Sequence, residues 1–245
     1  MTSVHADHRW RKERLLEIVV NEYIQTITPV SSGRIAQKYG LDISSATIRN
    51  ILAELESDGF LTHPHTSAGR VPTQEGYRYY VDHLMYEIAL LEEQKHRIKL
   101  EYEQQQQNLE RMLERTSEVI SELTHYTSIV TIEGQNRKIF CNGTRYVVDY
   151  PDYHDVKKIQ DILTLLEEKE RVMELINRKL RKKIQVFIGH EIACRNIEDC
   201  SMAVSAYYLR NGHSGRIAVL GPKRMNYQKV ISALDYIGEI MQEMW

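Results

Sequence analysis

Between Ser44 and Asn50 the chain carries side chains suited to reading the edges of nucleic-acid bases. Ser44, Ser45, Ala46, Thr47, Arg49 and Asn50 surround Ile48, and the apolar positions Ile48, Ile51, Leu52 and Leu55 recur at helical spacing. With the apolar stripe turned inward, the outward residues are short hydrogen-bonding groups plus one arginine. Arg grips guanine through two hydrogen bonds, Asn does the same with adenine, Ser and Thr are permissive, and Ala touches a thymine methyl. The residues at the N-terminus of a recognition helix are the ones that reach the bases. The plain alternative is that Ser44 and Ser45 only cap the helix and Arg49 is a solvated charge. A second group follows in the loop from His63 to Arg70, where His65, Thr66, Ser67, Gly69 and Arg70 form a small-residue hairpin with a basic tip. Such a wing follows the DNA backbone or enters the minor groove; the alternative is an ordinary surface hairpin. His63 and His65 make no convincing zinc site, because no nearby cysteine or acidic set completes a tetrahedral shell.

A third group lies near the start. Residues 1 to 80 hold nine Lys and Arg against nine Asp and Glu, so placement rather than balance must carry any phosphate contact. Four of the nine cations are Arg9, Arg11, Lys12 and Arg14. Cations in a first helical turn oppose the helix dipole, which gives Arg11 and Lys12 a reason to face phosphate. A solvated tail is the bland reading.

These groups need a scaffold, and the surrounding sequence supplies it. Leu15, Leu16, Ile18, Val19, Tyr23 and Ile24 form one face of a first helix. Ser31 or Ser32 caps a short second helix that Gly40 stops, and Ser44 or Ser45 caps the third, which Gly59 closes. Phe60 to Thr62 and the run beginning at Val71 read as strands flanking the loop. The expectation for residues 1–83 is therefore a winged helix-turn-helix DNA-binding domain.

From Leu84 to Leu123 the chain has no Gly or Pro. Steps of four and three residues meet Leu84, Ile88, Leu91, Ile98, Leu109, Met112, Val119 and Leu123, interrupted by Lys95 and Gln105. A continuous helix here would span about 60 Å and needs a cover for its stripe. The expectation is a helical connector over 84–123, either a coiled coil that dimerises the chain or a bent helix packed on its own C-terminal domain. Residues 124–245 read as a second, mixed domain, with strands over Ser128–Ile132, Arg145–Val148, Ile184–Ile188, Ala203–Leu209 and Gly215–Leu220. A charged helical stretch runs from Asp155 to about Lys182, and an amphipathic helix runs from about Met225. The fold class is α+β.

Composition narrows the rest. The chain has 245 residues, 42% hydrophobic and 27% charged, enough for a packed core and too long for one typical domain. No apolar run approaches the roughly 18 residues of a membrane helix, and the polar start has no secretory hydrophobic segment, so a cytoplasmic protein with no membrane partner is expected. The three cysteines, Cys141, Cys194 and Cys200, support neither a disulfide framework nor a zinc site. A net charge of −2 decides nothing. No phosphate-binding loop, dinucleotide fingerprint, nucleophile elbow or H-E-x-x-H pattern occurs. The only ingredients for an enzyme or metal sensor, His190, Glu191, Cys194 and Cys200, match no ligand spacing, so no catalytic residue, metal or cofactor is expected.

The stretches SSATIRN (Ser44–Asn50), HPHTSAGRVPT (His63–Thr73), GYRYYVD (Gly76–Asp82), ELTHYTSIV (Glu122–Val130) and GPKRMNYQKVISALDYI (Gly221–Ile237) resemble the HrcA family, the heat-inducible repressors of bacterial chaperone operons. The resemblance implies a homodimeric repressor that binds an inverted-repeat operator on double-stranded DNA and is helped into its active form by the GroE chaperonin. It also implies a GAF-like second domain interrupted by an inserted dimerisation domain. Here the chain departs from the pattern, because Ile139–Val156 follows almost directly on Ser128–Ile132. The expected product is a short member with a reduced GAF-like domain, and the usual dimer interface comes into question. The competing function is a ligand-responsive regulator whose GAF-like remnant senses a small molecule.

Overall fold

Capping and left-handed residues punctuate the first part of the chain. The structure, a computed structural model, describes residues 2–64, 69–86, 90–103, 108–134, 137–150 and 155–244. The chain folds into two compact units, residues 1–86 and 87–245.

In the first unit, α1 (Thr2–Thr26) buries Leu15, Leu16, Ile18, Val19 and Val20. The second helix, α2 (Ser32–Tyr39), starts at Ser31, whose Oγ accepts from Arg34 N at 3.2 Å, and stops at Gly40 in the left-handed region. The third, α3 (Ser45–Ser57), turns Ile48, Ile51, Leu52 and Leu55 into the core. Two short antiparallel strands follow, β1 (Leu61–Thr62) and β2 (Val71–Pro72), and Val30 joins as a third rung through paired bonds with Arg70 (2.9 and 2.8 Å). Gly69 is required there, because a Cβ would sit 2.5 Å from the Val30 carbonyl carbon. Next, α4 (Gln74–Tyr79) is capped by Thr73 and continues into a π turn over Tyr80–Leu84. Its Gly76 is equally constrained, since a Cβ would fall 2.1 Å from Phe60 O.

The second unit begins with two helices rather than one. The first, α5, spans Glu92–Glu103 and the second, α6, spans Leu109–Thr124, with Asn108 capping the latter. They fold back on each other: Tyr102 Oη and Thr116 Oγ1 are 2.5 Å apart, and Arg97 reaches Glu122 at 2.8 Å. In a continuous helix residues 102 and 116 would be about 21 Å apart. Of the two forms open for the 84–123 segment, the described residues take the bent one packed on its own unit, and the compact units divide at residue 86. The physical reason is economy of burial. Ile98, Met112 and Val119 are buried in this same unit, together with Tyr102, Leu113 and Ile120, so three of the eight stripe residues are covered without a second chain. Leu91 is exposed at 68%, Leu84 belongs to the first unit, and Leu109 and Leu123 are half-buried. Ile88 and the Gln104–Gln107 tract lie outside the described residues.

A five-stranded antiparallel sheet organises the remainder in the order β4-β3-β7-β6-β5. Its strands are β3 (Thr127–Ile132), β4 (Lys138–Asn142), β5 (Ile184–Ile188), β6 (Cys200–Tyr208) and β7 (Ser214–Pro222). The helix α6 and the C-terminal α10 (Tyr227–Met244) cover one face. The other face sends Ile129, Met202, Val204, Ala218 and Leu220 into a core with α7 (Arg145–Asp149), α8 (Val156–Glu167) and α9 (Lys169–Ile176). This mixed arrangement is α+β. The strand expected at Arg145–Val148 is instead the helix α7: Gly143, left-handed at φ 81°, turns the chain off the sheet, and Tyr146 N and Val147 N bond back to Gly143 O and Thr144 O. The strand that pairs with β3 is Lys138–Asn142, in register from Ile132↔Lys138 to Ser128↔Asn142.

Candidate nucleic-acid interface

The side chains predicted to read bases cluster on the exposed N-terminal half of α3. Ser44 Oγ accepts from Thr47 N at 3.1 Å and lies 2.9 Å from Thr47 Oγ1, so its hydroxyl is committed to the cap. Ala46, Arg49 and Asn50 are exposed, and Ser45 and Thr47 are partly so. Among the described residues Arg49 has no carboxylate within ion-pair distance. An unpaired guanidinium beside Asn50, Ser45 and Thr47 leaves all its donors for a partner outside the chain.

The same helix is held in place by ion pairs that sequence reading assigned elsewhere. Arg70 is not a free wing tip: its backbone pairs with Val30 and its guanidinium Nη2 lies 2.8 Å from Glu56 of α3. His63 Nδ1 bonds the other oxygen of Glu56. Lys12 is similarly committed, at 2.5 Å from Asp58 and 3.5 Å from Glu54, and the Asp58 hydrogen bond lifts its pKa above the ordinary lysine value. Arg9 pairs with Glu13 and Arg14 with Glu17. Carboxylate pairing is thus a second reason for the crowd of cations near the start of α1, beside the phosphate contact expected of Lys12 and Arg70. Arg11 is partly exposed on the same helix and has an internal interaction of its own. Gly69 closes against Val30, and His65, Thr66 and Ser67 lie outside the described residues.

A buried carboxylate fixes α2 against α1. Glu22 is 1% exposed, and its Oε1 accepts from Lys38 and, at 2.7 Å, from Tyr39 Oη, while Arg34 Nη2 lies 3.1 Å from Oε2. Burial alone would raise the Glu22 carboxyl, but Lys38 and Tyr39, with Arg34, outweigh it and hold it below the usual range. Burial and the same contact push the Tyr39 hydroxyl up to about 12. These partners were missed because the pairing residues stand 12 to 46 positions apart in sequence.

In the second unit, His190, Glu191, Cys194 and Cys200 do not form a site. Glu191 Oε2 accepts from Ile188 N at 2.9 Å, Arg171 Nη2 approaches Cys194 Sγ at 3.4 Å, and no group of three or more His, Cys, Asp or Glu poised for a metal occurs among the described residues. Among the described residues no helix is long and apolar enough to cross a membrane. The space bounded by Thr127, Val147, Tyr150, Ile162, Cys200 and Leu220 amounts to about 10 Å³.

Comparison with known proteins gives concordant results. The family model described as HrcA protein C terminal domain matches residues 131–231. A heat-inducible transcription repressor HrcA of Carboxydothermus hydrogenoformans is 29% identical over 96% of this chain and 97% of its own length. One from Pelotomaculum thermopropionicum is 28% identical over 96% of each. The first alignment extends over 332 positions and this chain has 245 residues, so at least 87 positions of that alignment have no counterpart here. A crystal structure of a hypothetical protein superposes with a TM-score of 0.73 at 18% identity, covering 96% of this chain and 97% of that one, which shows a common fold. A C-terminal family match over residues 131–231 and near end-to-end likeness to two repressors of one name agree with the motifs read from the sequence, so the chain is similar to the heat-inducible repressors named HrcA along almost its whole length.

Proposed function

We infer that the chain is a sequence-specific transcriptional repressor of heat-shock (chaperone) operons that binds an inverted-repeat operator as a dimer. The observation that carries the reading is the exposed, unpaired Arg49 with Asn50, Thr47, Ser45 and Ala46 on one face of α3, while the opposite face is buried. In this reading residues 1–86 are a winged helix-turn-helix unit: α3 enters the major groove, β1 and β2 carry the wing, and Arg49 and Asn50 read bases. His65, Thr66, Ser67, Gly69 and Arg70 belong to the wing, and Arg11 and Lys12 are the candidates for phosphate on α1. Residues 87–245 are the reduced GAF-like unit, and the chain works in the cytoplasm. Assistance by GroE rests on the family resemblance alone, and operator titration with and without the chaperonin tests it. The competing reading is a regulator that senses a small molecule through the reduced GAF-like unit: the space beneath the sheet is only about 10 Å³, but an open groove of about 800 Å³ lies beside β4. The direct test is a salt-controlled titration against a chaperone-operon inverted repeat and a scrambled duplex; equal affinity for both would reject the function.

A further inference from the structure

The sheet of the second unit ends in two edge strands that are treated differently. The edge β5 is preceded by Arg178, Lys179, Arg181 and Lys182, and charges of this kind guard an edge against pairing. The edge β4 is guarded more thinly, with Arg137 just before it. Its residues Lys138 to Asn142 contain neither Pro nor Gly, every one is at least partly exposed, and Lys138 is already neutralised by Glu110 at 2.5 Å. Glu133, which follows β3, donates its main-chain N–H to Ser214 O on the β7 side. Main-chain groups alternate sides along an antiparallel strand, so Thr131 points the same way and its partner Ile139 points outward, as does Cys141. Two outward donors and two outward acceptors are thus presented in a row.

β3 ends at Ile132 and β4 begins at Lys138, near the point where the motif order departs from the interrupted pattern that the resemblance implies. Beside β4 lies an open groove of about 800 Å³, lined by Arg137, Ile139, Phe140 and Met173 among others. Its charged residues carry both signs, Arg137, Lys138 and Lys169 against Glu170 and Glu174, so two identical grooves can meet with opposite charges opposed.

We propose that β4 pairs antiparallel with β4 of a second copy, making one ten-stranded sheet across a two-fold axis at Phe140. Ile139 of each copy then exchanges two main-chain hydrogen bonds with the partner's Cys141, giving four in all, and the two Phe140 rings face each other as a non-hydrogen-bonded pair. This rests on the dimeric reading above and supplies its interface without an inserted domain.

Light scattering on the full chain and on Phe140→Lys tests it. The wild type is expected at the mass of two chains, and Phe140→Lys, which opposes two cations on the axis while keeping its circular dichroism, is expected to dissociate at least about a hundredfold more readily. As a positive control, Phe140→Cys in a Cys141→Ser background should form an interchain disulfide on mild oxidation, since facing residues of a non-hydrogen-bonded pair have Cα atoms about 4.5 Å apart. A wild-type monomer, a Phe140→Lys dimer of unchanged affinity, or a wild-type dimer whose Phe140→Cys variant does not cross-link would overturn the interface. Operator and scrambled duplexes titrated on the same samples separate the two inferences. A dimer with no operator preference rejects the repressor reading alone, whereas operator binding by an undissociated Phe140→Lys dimer rejects the β4 pairing alone.

Discussion

Replacing Arg49 and Arg70 by alanine should produce opposite phenotypes, although both are arginines in the same unit. Arg49 is exposed, and alanine is the better helix former at an exposed position, so Arg49→Ala should leave stability within about 0.5 kcal/mol of wild type. Its cost should fall on DNA. Loss of one bidentate base contact is worth about 1–3 kcal/mol, and a two-fold complex loses it twice, giving about 2–6 kcal/mol on operator and far less on scrambled DNA. At 1.4 kcal/mol per decade, discrimination should fall at least about thirtyfold. Arg70, in contrast, is 23% exposed and pairs with a Glu56 that is 27% exposed. Removing a partly screened pair costs about 1 kcal/mol, which lowers the Tm of a unit this size by roughly 4–8 °C while leaving the ratio of operator to scrambled affinity unchanged. Paired thermal melts and fluorescence-anisotropy titrations at fixed salt read both effects. If Arg70→Ala erased discrimination while Arg49→Ala kept it, the assignment of α3's exposed face would be refuted.

Other outcomes follow from single contacts. Glu22, held below its ordinary pKa, contributes stability that is present above about pH 4.5 and lost as pH falls through its lower folded value. Urea midpoints measured between pH 6 and 3 should show a steeper loss for wild type than for Glu22→Gln; parallel curves would remove Glu22 from the acid response. Gly76→Ala places a methyl 2.1 Å from Phe60 O and should destabilise the first unit by about 2 kcal/mol or more, with an unchanged melting temperature as the contrary result. Burial pushes the Cys141 thiol up to about 11, so about one part in a thousand is thiolate at pH 8 and alkylation by iodoacetamide should be slow there and accelerate toward pH 10. Prompt labelling at pH 8 would contradict it.

Local signals carried furthest where one residue does one job. Ser31, Ser44 and Gly40 were readable as caps, and the Ile48–Leu55 stripe as the buried face of α3, because each acts within one or two helical turns. Long-range charge pairing was invisible. Lys12 meets Asp58 across 46 positions, and nothing local distinguishes a cation waiting for phosphate from one already neutralised. The heptad stripe left two readings open for a related reason: a 3.5-residue period reports that a helix needs a cover, not whether the cover is another chain or the same chain folded back, as Tyr102 against Thr116 makes it. At Arg145–Val148, two adjacent valines favoured a strand, but the left-handed Gly143 redirected the chain.

The central claim is that α3 reads an operator, and one titration addresses it most directly. Purified protein is titrated at several salt concentrations against a labelled inverted repeat from a chaperone operon and against a scrambled duplex of equal length and composition. The reading predicts that the repeat binds at least about a thousandfold more tightly than the scrambled duplex at physiological salt, with both affinities falling as salt rises. Indistinguishable curves at every salt concentration would contradict it and leave α3 with no role in sequence choice.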